Sequence, residues 1–366
     1  MTSAHDRRAA AVASTMRASD TLRHGATWAL VSGPPSARRV HVDSTGPAAP
    51  DTLFQISSVT KVIATACTMG LVTDGALGLD DPVERWVPAW AGRRVLRRRH
   101  GPLDDTVAAT RSTTVRDLLR MGFGLGYDVS DEGDDALSGA SDAAGVMSHW
   151  LPPQLDVDAW MDRVAALPMR HQPGEGWLYQ TSFDALTVVL EAATRVRFDE
   201  LLGRRLLEPL GMRDTGYFVP GGELRRVPAL WFPDDDGGLD LAVPAADPRY
   251  ASTPTFPSAS AGLLSTAADL AAFAGAALDG ALGDQAPMPD GPAATMAAEF
   301  LGPELRWGLG VGIDAHGRVG WDGGTGASLW VDREADVAAA LLTHEGIGGG
   351  TPEHFRRFWE AVRGAG

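Results

Sequence analysis

The spacing of hydrophobic and polar positions differs between the two ends of the chain and its middle. Residues 1–23 are polar and amphipathic, which predicts a helix, and alternating stretches at 26–32 and 38–43 flank a Gly-Pro-Pro-Ser turn typical of a β-hairpin. Toward the other end, the pattern predicts strands at 307–313, 318–321, 327–331 and 337–342 and helices at 266–278 and 352–362.

Strand signals are sparse from about residue 79 to residue 254, where helical periodicity predicts helices at 114–121, 157–167, 182–194 and 198–210. Residues 218–257 are rich in Pro, Gly and Asp, which predicts a long loop. Because strands lie at both ends, we expect an α+β fold, an α/β sandwich whose largely antiparallel sheet is flanked by helices. Residues 1–78 and 258–366 would form this domain, and 79–257 a mostly helical insert.

Composition limits the classes of partner. The chain has 366 residues, 44% of them hydrophobic, and a net charge of −15, which argues against nucleic acid and anionic membranes. We interpret the basic stretch 93–99 as a solvated segment that pairs with carboxylates. The single cysteine, Cys67, excludes an internal disulfide, and its apolar surroundings indicate a buried thiol. No apolar run could span a bilayer and the N-terminal residues do not resemble a signal peptide, so we expect a soluble cytoplasmic protein.

The chain has one lysine, Lys61, against 31 arginines. Arginine cannot give up its proton in a protein, whereas a desolvated lysine can, so a titratable amine is the simplest reason to keep Lys61. Ser58 lies three residues earlier, on the same face of a predicted buried helix, where a hydroxyl nucleophile could contact its proton acceptor. Chance would place a Ser there roughly one time in fifteen, so the argument depends on the lysine's uniqueness and on the helix start.

Two further segments contain candidate catalytic groups. Tyr179 lies on a turn before a predicted helix, where its hydroxyl could shuttle a proton if a neighbouring lysine lowered its pKa; the alternative is a tyrosine that anchors the turn. The glycine-rich segment 321–326 could present an N–H group to an oxyanion, or could be a simple hairpin turn. No phosphate loop, dinucleotide fingerprint or zinc spacing is present, and the acidic run 234–236 lacks calcium-loop spacing, so we expect no metal and no cofactor.

Together, Phe54-x-x-x-Ser58-x-x-Lys61, Tyr179 and an aromatic-x-Gly on a late strand resemble the serine β-lactamase-related superfamily. The similarity is to its class C β-lactamase, penicillin-binding-protein-like and carboxylesterase branch, and it extends over nearly the whole chain. The resemblance implies that Ser58 is the acylated nucleophile and that Lys61 and Tyr179 share the role of general base. It also implies an oxyanion hole formed by the N–H groups of Ser58 and Gly324. Further matching segments lie at 114–119, 173–179, 207–215, 261–270 and 307–310.

The chain departs from the family at two motifs that bind substrate. The usual Tyr-x-Asn is Tyr179-Gln180-Thr181 here, so the amide that would meet an acylamino group is missing or displaced to Gln180. The usual Lys or His followed by x-Gly is Trp321-Asp322-Gly323, so an indole replaces the cation that would hold a substrate carboxylate.

We therefore expect a serine hydrolase that acts through an acyl-enzyme on a small-molecule carboxylic ester, or that transfers the acyl group. Gln180, Thr181, Trp321, Asp322 and Gly323 are the candidate substrate-binding residues. The alternatives are a β-lactamase or D-amino-acid peptidase or amidase, and a non-catalytic binding protein that retains the fold. The sequence leaves the oligomeric state open.

Overall fold

The computed structural model describes residues 3–128, 135–148, 151–348 and 350–364. The helices are α1 (Ala4–Arg17), α2 (Val59–Thr73), α3 (Val115–Leu119), α4 (Ala136–Ala143), α5 (Val157–Ala165), α6 (Thr181–Thr194), α7 (Phe198–Leu202), α8 (Glu208–Leu210), α9 (Ala267–Leu278), α10 (Pro292–Leu301) and α11 (Glu353–Gly364). The strands are β1 (Ala26–Ser32), β2 (Arg39–Thr45), β3 (Phe54–Gln55), β4 (Arg94–Leu96), β5 (Thr106–Ala108), β6 (Leu230–Pro233), β7 (Leu239–Val243), β8 (Leu264–Ser265), β9 (Leu305–Trp307), β10 (Gly312–Asp314), β11 (Val319–Gly323), β12 (Ala327–Asp332) and β13 (Val337–Thr343). The first two residues of the predicted N-terminal helix lie outside the described ranges.

A seven-stranded sheet in the order β2-β1-β13-β12-β11-β10-β9 forms the centre of the molecule. Every neighbouring pair in it is antiparallel, with β1 from one end of the chain paired along its whole length with β13 from the other. This confirms the α+β fold and the sheet built from both chain ends. The division into two domains stays a prediction.

The two faces of the sheet are covered by different helices. Along β13, Ala338, Ala340 and Leu342 belong to the large core that also contains α2 and α9. The alternate residues, Val337, Ala339 and Leu341, pack with α1 and α11 in a second core. This alternation follows from the period of two along a strand and explains why β13 is buried along its whole length.

The structure corrects three sequence predictions. The predicted strand 307–313 is a hairpin of β9 and β10, in which Gly310 adopts φ +77° and any Cβ would lie 2.0 Å from Thr65 Oγ1. The predicted loop 218–257 contains the β6–β7 hairpin. The basic stretch is only partly solvated: Arg93 is buried, whereas Arg97 and Arg99 pair with carboxylates as expected.

Two helices, α4 and α10, were absent from the sequence prediction, and α10 contributes to the candidate site. None of the helices in the described ranges combines the length and the apolar character needed to cross a membrane. Cys67 is buried in α2, as expected, and burial raises the pKa of its thiol to about 12.

Candidate active site

Ser58 lies at the point where strand β3 turns into helix α2. Pairing of β3 with β8 brings this turn against residues 258–265. Ser58 precedes the first helical residue, and its hydroxyl makes no capping hydrogen bond. The hydroxyl is therefore free for other partners, and one helical turn later the Nζ atom of Lys61 reaches it at 3.1 Å.

Lys61 is fully buried and held by three oxygen atoms. In addition to Ser58 Oγ, its Nζ donates to Gln180 Oε1 at 2.6 Å and to the backbone oxygen of Ser260 at 2.7 Å. Burial lowers the pKa of Lys61 to about 7, and the negative charge of Asp184 opposes that shift. A neutral amine is consequently accessible at physiological pH, as a general base requires.

Tyr179 completes the group around the nucleophile. Its hydroxyl is hydrogen-bonded to Ser58 and accepts a hydrogen bond from the indole Nε1 of Trp321 at 2.7 Å. Burial raises the pKa of Tyr179 to about 12, so the expectation that the lysine lowers this pKa is wrong. The physical reason is geometric: Lys61 Nζ lies over the face of the tyrosine ring, 4.6 Å from its centroid, instead of beside its hydroxyl.

Gln180 has an unusual backbone conformation. Its φ of 86° and ψ of −70° form a γ-turn in which the N–H of Thr181 donates to the oxygen of Tyr179 at 3.3 Å. This turn directs the Gln180 side chain inward to Lys61, while its Nε2 donates to Ser260 Oγ at 3.1 Å. Gln180 lines the pocket, and its amide is also engaged by Lys61 and Ser260, so its contact with a substrate stays a prediction.

Thr181 does not line the pocket. It is fully buried, and its hydroxyl contacts the sulfur of Met147 at 3.6 Å. The structure thus gives no support to Thr181 as a substrate-binding residue, because it begins helix α6 with its side chain in the protein interior.

The three residues of the segment 321–323 lie in different environments. Trp321 faces the pocket, but the carboxylate of the next residue, Asp322, accepts hydrogen bonds from Ser328 Oγ at 2.6 Å and Trp330 Nε1 at 2.9 Å. Burial raises the pKa of Asp322. Gly323 does not line the pocket and packs against the turn before Ser58, where any Cβ would lie 2.3 Å from Ile56 O. Its role is to permit this close approach.

The expected oxyanion donors have no competing partners within the described part of the chain. The backbone N–H groups of Ser58 and Gly324 donate to no other described residue. Gly324 lines the pocket, and its position is fixed because its oxygen accepts a hydrogen bond from the N–H of Ile347 at 2.8 Å. Both groups are available to a substrate oxygen.

The pocket above Ser58 has a volume of about 550 Å³. Sequence reasoning missed much of its wall, in particular Phe300, whose ring stacks on that of Tyr179 with 4.8 Å between centroids. Helix α10, which carries Phe300, gave no clear periodic signal. The other missed wall residues are Tyr127, Leu301, Leu305, Ile347, Gly348, Gly350 and Thr351.

Other features of the molecule do not compete with this site. A cavity of about 660 Å³ lies beside α1 and α11, and its lining contains none of Ser58, Lys61 and Tyr179. Across the described residues, no group of His, Cys, Asp and Glu side chains is arranged to hold a metal ion.

Comparison with known proteins agrees with this geometry. The sequence model of the family described as Beta-lactamase matches residues 12–360. The chain belongs to the beta-lactamase family. Esterase EstB of Burkholderia gladioli is 30% identical over 339 residues, which cover 82% of this chain and 80% of EstB.

Two further similarities bear on the extent of the match. An uncharacterised protein of Mycobacterium tuberculosis is 35% identical over 232 residues, 63% of this chain, and the match spans only 55% of that relative's length. Among solved structures, EstCE1, described as a hydrolase with promiscuous acyltransferase activity, superposes with a TM-score of 0.76 at 22% identity, covering 98% of this chain and 99% of EstCE1. At that identity the likeness concerns the fold.

Proposed function

We propose that this beta-lactamase-family protein hydrolyses a neutral carboxylic ester, or transfers its acyl group, through an acyl-enzyme formed on Ser58. One observation carries the proposal. Ser58 Oγ is hydrogen-bonded both to a buried amine with a pKa of about 7 and to the Tyr179 hydroxyl, beneath a pocket with apolar walls.

The two partners of Ser58 suit different proton-transfer steps. Neutral Lys61 accepts the Ser58 proton as Oγ attacks the ester carbonyl, and the N–H groups of Ser58 and Gly324 receive the developing oxyanion. Tyr179, protonated because its pKa is about 12, donates a proton to the departing alkoxide. Water, or an acceptor alcohol or amine, then attacks the acyl-enzyme and gives its proton to the Tyr179 phenolate, while protonated Lys61 returns a proton to Ser58 Oγ as the bond from Oγ to the acyl carbon breaks.

The wall of the pocket favours a neutral substrate over an anionic β-lactam or peptide. Among the described lining residues, Asp322 is the one charged side chain, and its carboxylate is occupied by Ser328 and Trp330. No cation is present in that set to hold a substrate carboxylate, and the indole of Trp321 occupies the position where the family usually has one. The name of EstB as an esterase supports the same choice.

A labelling experiment tests the proposal. The protein is treated with a fluorophosphonate, the adduct is mapped by mass spectrometry, and kcat/KM is compared for a neutral nitrophenyl ester and a chromogenic cephalosporin. We expect the adduct on Ser58, loss of label and turnover in Ser58→Ala, and a preference for the ester. The adjacent Ser57→Ala serves as the matched control and should keep its label.

Three results would contradict the proposal. Labelling retained in Ser58→Ala would place the nucleophile elsewhere. A tenfold or greater preference for the cephalosporin, equivalent to about 1.4 kcal/mol in transition-state binding, would favour the β-lactamase alternative. Absence of both labelling and turnover in the folded wild-type protein would favour a binding protein.

A further inference from the structure

Behind Lys61 lies a fully buried carboxylate, Asp184, in the first turn of α6. It accepts hydrogen bonds from three serine hydroxyls: Ser148 at 2.8 Å on Oδ2, and Ser258 and Ser260 on Oδ1, the latter at 2.7 Å. Together with Asp184, the three serines come from three separate segments of the chain. No substrate could touch Asp184, because it does not line the pocket.

We propose that Asp184 is a positioning residue that, through Ser148, Ser260 and Gln180, orients the Lys61 amine toward Ser58. The inference rests on the proposed function, since it concerns how Lys61 activates the nucleophile. It gives a role to a buried charge that the acyl-transfer steps themselves do not use.

The argument begins with the direction of the hydrogen bonds. An ionised carboxylate can only accept, so the hydroxyls of Ser148 and Ser260 must donate their hydrogens to Asp184. Their oxygens are then left as acceptors, and Gln180 Nε2 donates to Ser148 Oγ at 3.3 Å and to Ser260 Oγ at 3.1 Å. The orientation of the Gln180 amide is consequently fixed from the side of Asp184.

The fixed amide determines what Lys61 meets. With Nε2 on the serines, Oε1 faces Lys61 at 2.6 Å, and the backbone oxygen of Ser260 faces it at 2.7 Å. Both oxygens are acceptors only, so they take two N–H groups of the amine. When Lys61 is neutral, its two N–H groups are used in this way and its lone pair is left for the third neighbour, the Ser58 hydroxyl at 3.1 Å.

Charge gives Asp184 a second, measurable influence on Lys61. The negative carboxylate favours the protonated amine, so it partly opposes the lowering of the Lys61 pKa by burial. Burial raises the pKa of Asp184 itself, and the three serine hydroxyls oppose that shift. The other titratable groups that face Asp184 are Tyr127 and Tyr217, from two further segments, and both have raised pKa values.

The decisive variant is Asp184→Asn, which keeps the shape but introduces an NH₂ donor. One serine must then reverse its hydroxyl, and the Gln180 amide can turn its NH₂ toward Lys61. We expect the plateau of kcat/KM for a nitrophenyl ester to fall by roughly tenfold or more, the scale of one hydrogen bond to a charged group, with little change in KM. Because the carboxylate's charge is removed, the acid limb of the pH profile should move to lower pH.

A second variant tests the same inference when Asp184→Asn folds poorly. Gln180→Glu brings a carboxylate directly against Lys61, so we expect activity to fall while the acid limb moves to higher pH, opposite to Asp184→Asn. Asp269→Asn is the matched control, because Asp269 is likewise buried and hydroxyl-bonded, to Thr215 at 2.8 Å, but is not a partner of Lys61. It should lower the melting temperature without moving the acid limb.

The activation of Ser58 can also be measured without ester turnover. The second-order rate of Ser58 labelling by a fluorophosphonate, measured against pH, reports the same activation of the hydroxyl. If wild-type protein is labelled but cleaves no ester, the proposed function fails while the role of Asp184 can still be measured. An acid limb that stays at its wild-type position in both Asp184→Asn and Gln180→Glu would overturn the inference, as would an Asp184→Asn plateau equal to wild type per folded molecule.

Discussion

Trp321→Phe separates two possible roles of Tyr179, proton donor and general base. The substitution keeps an aromatic ring at the pocket wall but removes the indole N–H that donates to the Tyr179 hydroxyl at 2.7 Å. That hydrogen bond lowers the pKa of Tyr179, against the larger effect of burial. Its loss therefore raises the pKa further and makes a phenolate harder to form.

The two roles differ in the size of the expected loss. If Tyr179 stays neutral until it protonates the leaving group, a neutral hydrogen bond worth about 0.5–1.5 kcal/mol is lost, and kcat/KM falls by about 2- to 13-fold. If Tyr179 reacts as a phenolate, the lost bond is to a charged group and is worth about 1.5–3 kcal/mol, or about 13- to 160-fold. Because the pKa values are about 12 for Tyr179 and about 7 for Lys61, we expect the smaller loss.

The assay is kcat/KM for a short nitrophenyl ester between pH 5 and 10, with the melting temperature measured for each variant. Trp307→Phe is the control, since it removes a neighbouring buried indole N–H that donates to Leu119 O at 2.9 Å instead of to Tyr179. A loss beyond about 100-fold in Trp321→Phe alone, with an alkaline shift of the activity profile, would refute the assignment of Lys61 as base and favour a Tyr179 phenolate.

Three other outcomes are expected. Lys61→Arg should cost about 100-fold or more in kcat although it preserves positive charge, because arginine cannot deprotonate; a near-normal rate would mean that Lys61 acts only as a fixed charge. Asp322→Asn should lower the free energy of unfolding by about 1–3 kcal/mol, measured by denaturant unfolding, because the carboxylate accepts two buried hydrogen bonds. The same variant should leave the ratio of ester to cephalosporin turnover unchanged, and a changed ratio would support a direct role of the carboxylate in specificity. For wild type, kcat/KM should rise about fourfold for each CH₂ of the acyl chain that packs on Phe300, because each buried CH₂ contributes about 0.8 kcal/mol. Phe300→Ala should reduce this dependence of kcat/KM on chain length. An unchanged dependence in the variant would place the acyl chain elsewhere.

The sequence predicted those parts of the fold and site that depend on regular spacing. The strands of the central sheet were recognisable because β1 and β13 alternate or are apolar throughout, and Ser58 and Lys61 because three residues make one helical turn. The γ-turn at Gln180 was not recognisable, since no glycine marks it.

The rest of the site depends on contacts between distant segments. The hydrogen bond from Trp321 to Tyr179 joins residues 142 positions apart, and that from Ser260 to Asp184 joins residues 76 apart. Neither residue type nor local periodicity predicts which distant residues form such a hydrogen bond. The partners of Asp322 were not recognisable for the same reason, since its carboxylate accepts hydrogen bonds from Ser328 and Trp330 on the neighbouring strand β12.

The departure from the family's Tyr-x-Asn motif can now be understood in physical terms. A non-glycine residue with positive φ costs on the order of 1–3 kcal/mol, and Gln180 bears this cost at φ 86° in the middle of the site. Glycine would adopt the turn without strain but would offer Lys61 no side-chain oxygen. The turn directs the side-chain amide of Gln180 toward the buried amine, whereas the family's motif has its Asn at the next position, and the hydrogen bonds to Lys61 and Ser260 hold the Gln180 amide there. Gln180 is therefore one of the strained backbone positions of the described chain, and its side chain links Lys61 to the serines that bind the buried carboxylate of Asp184.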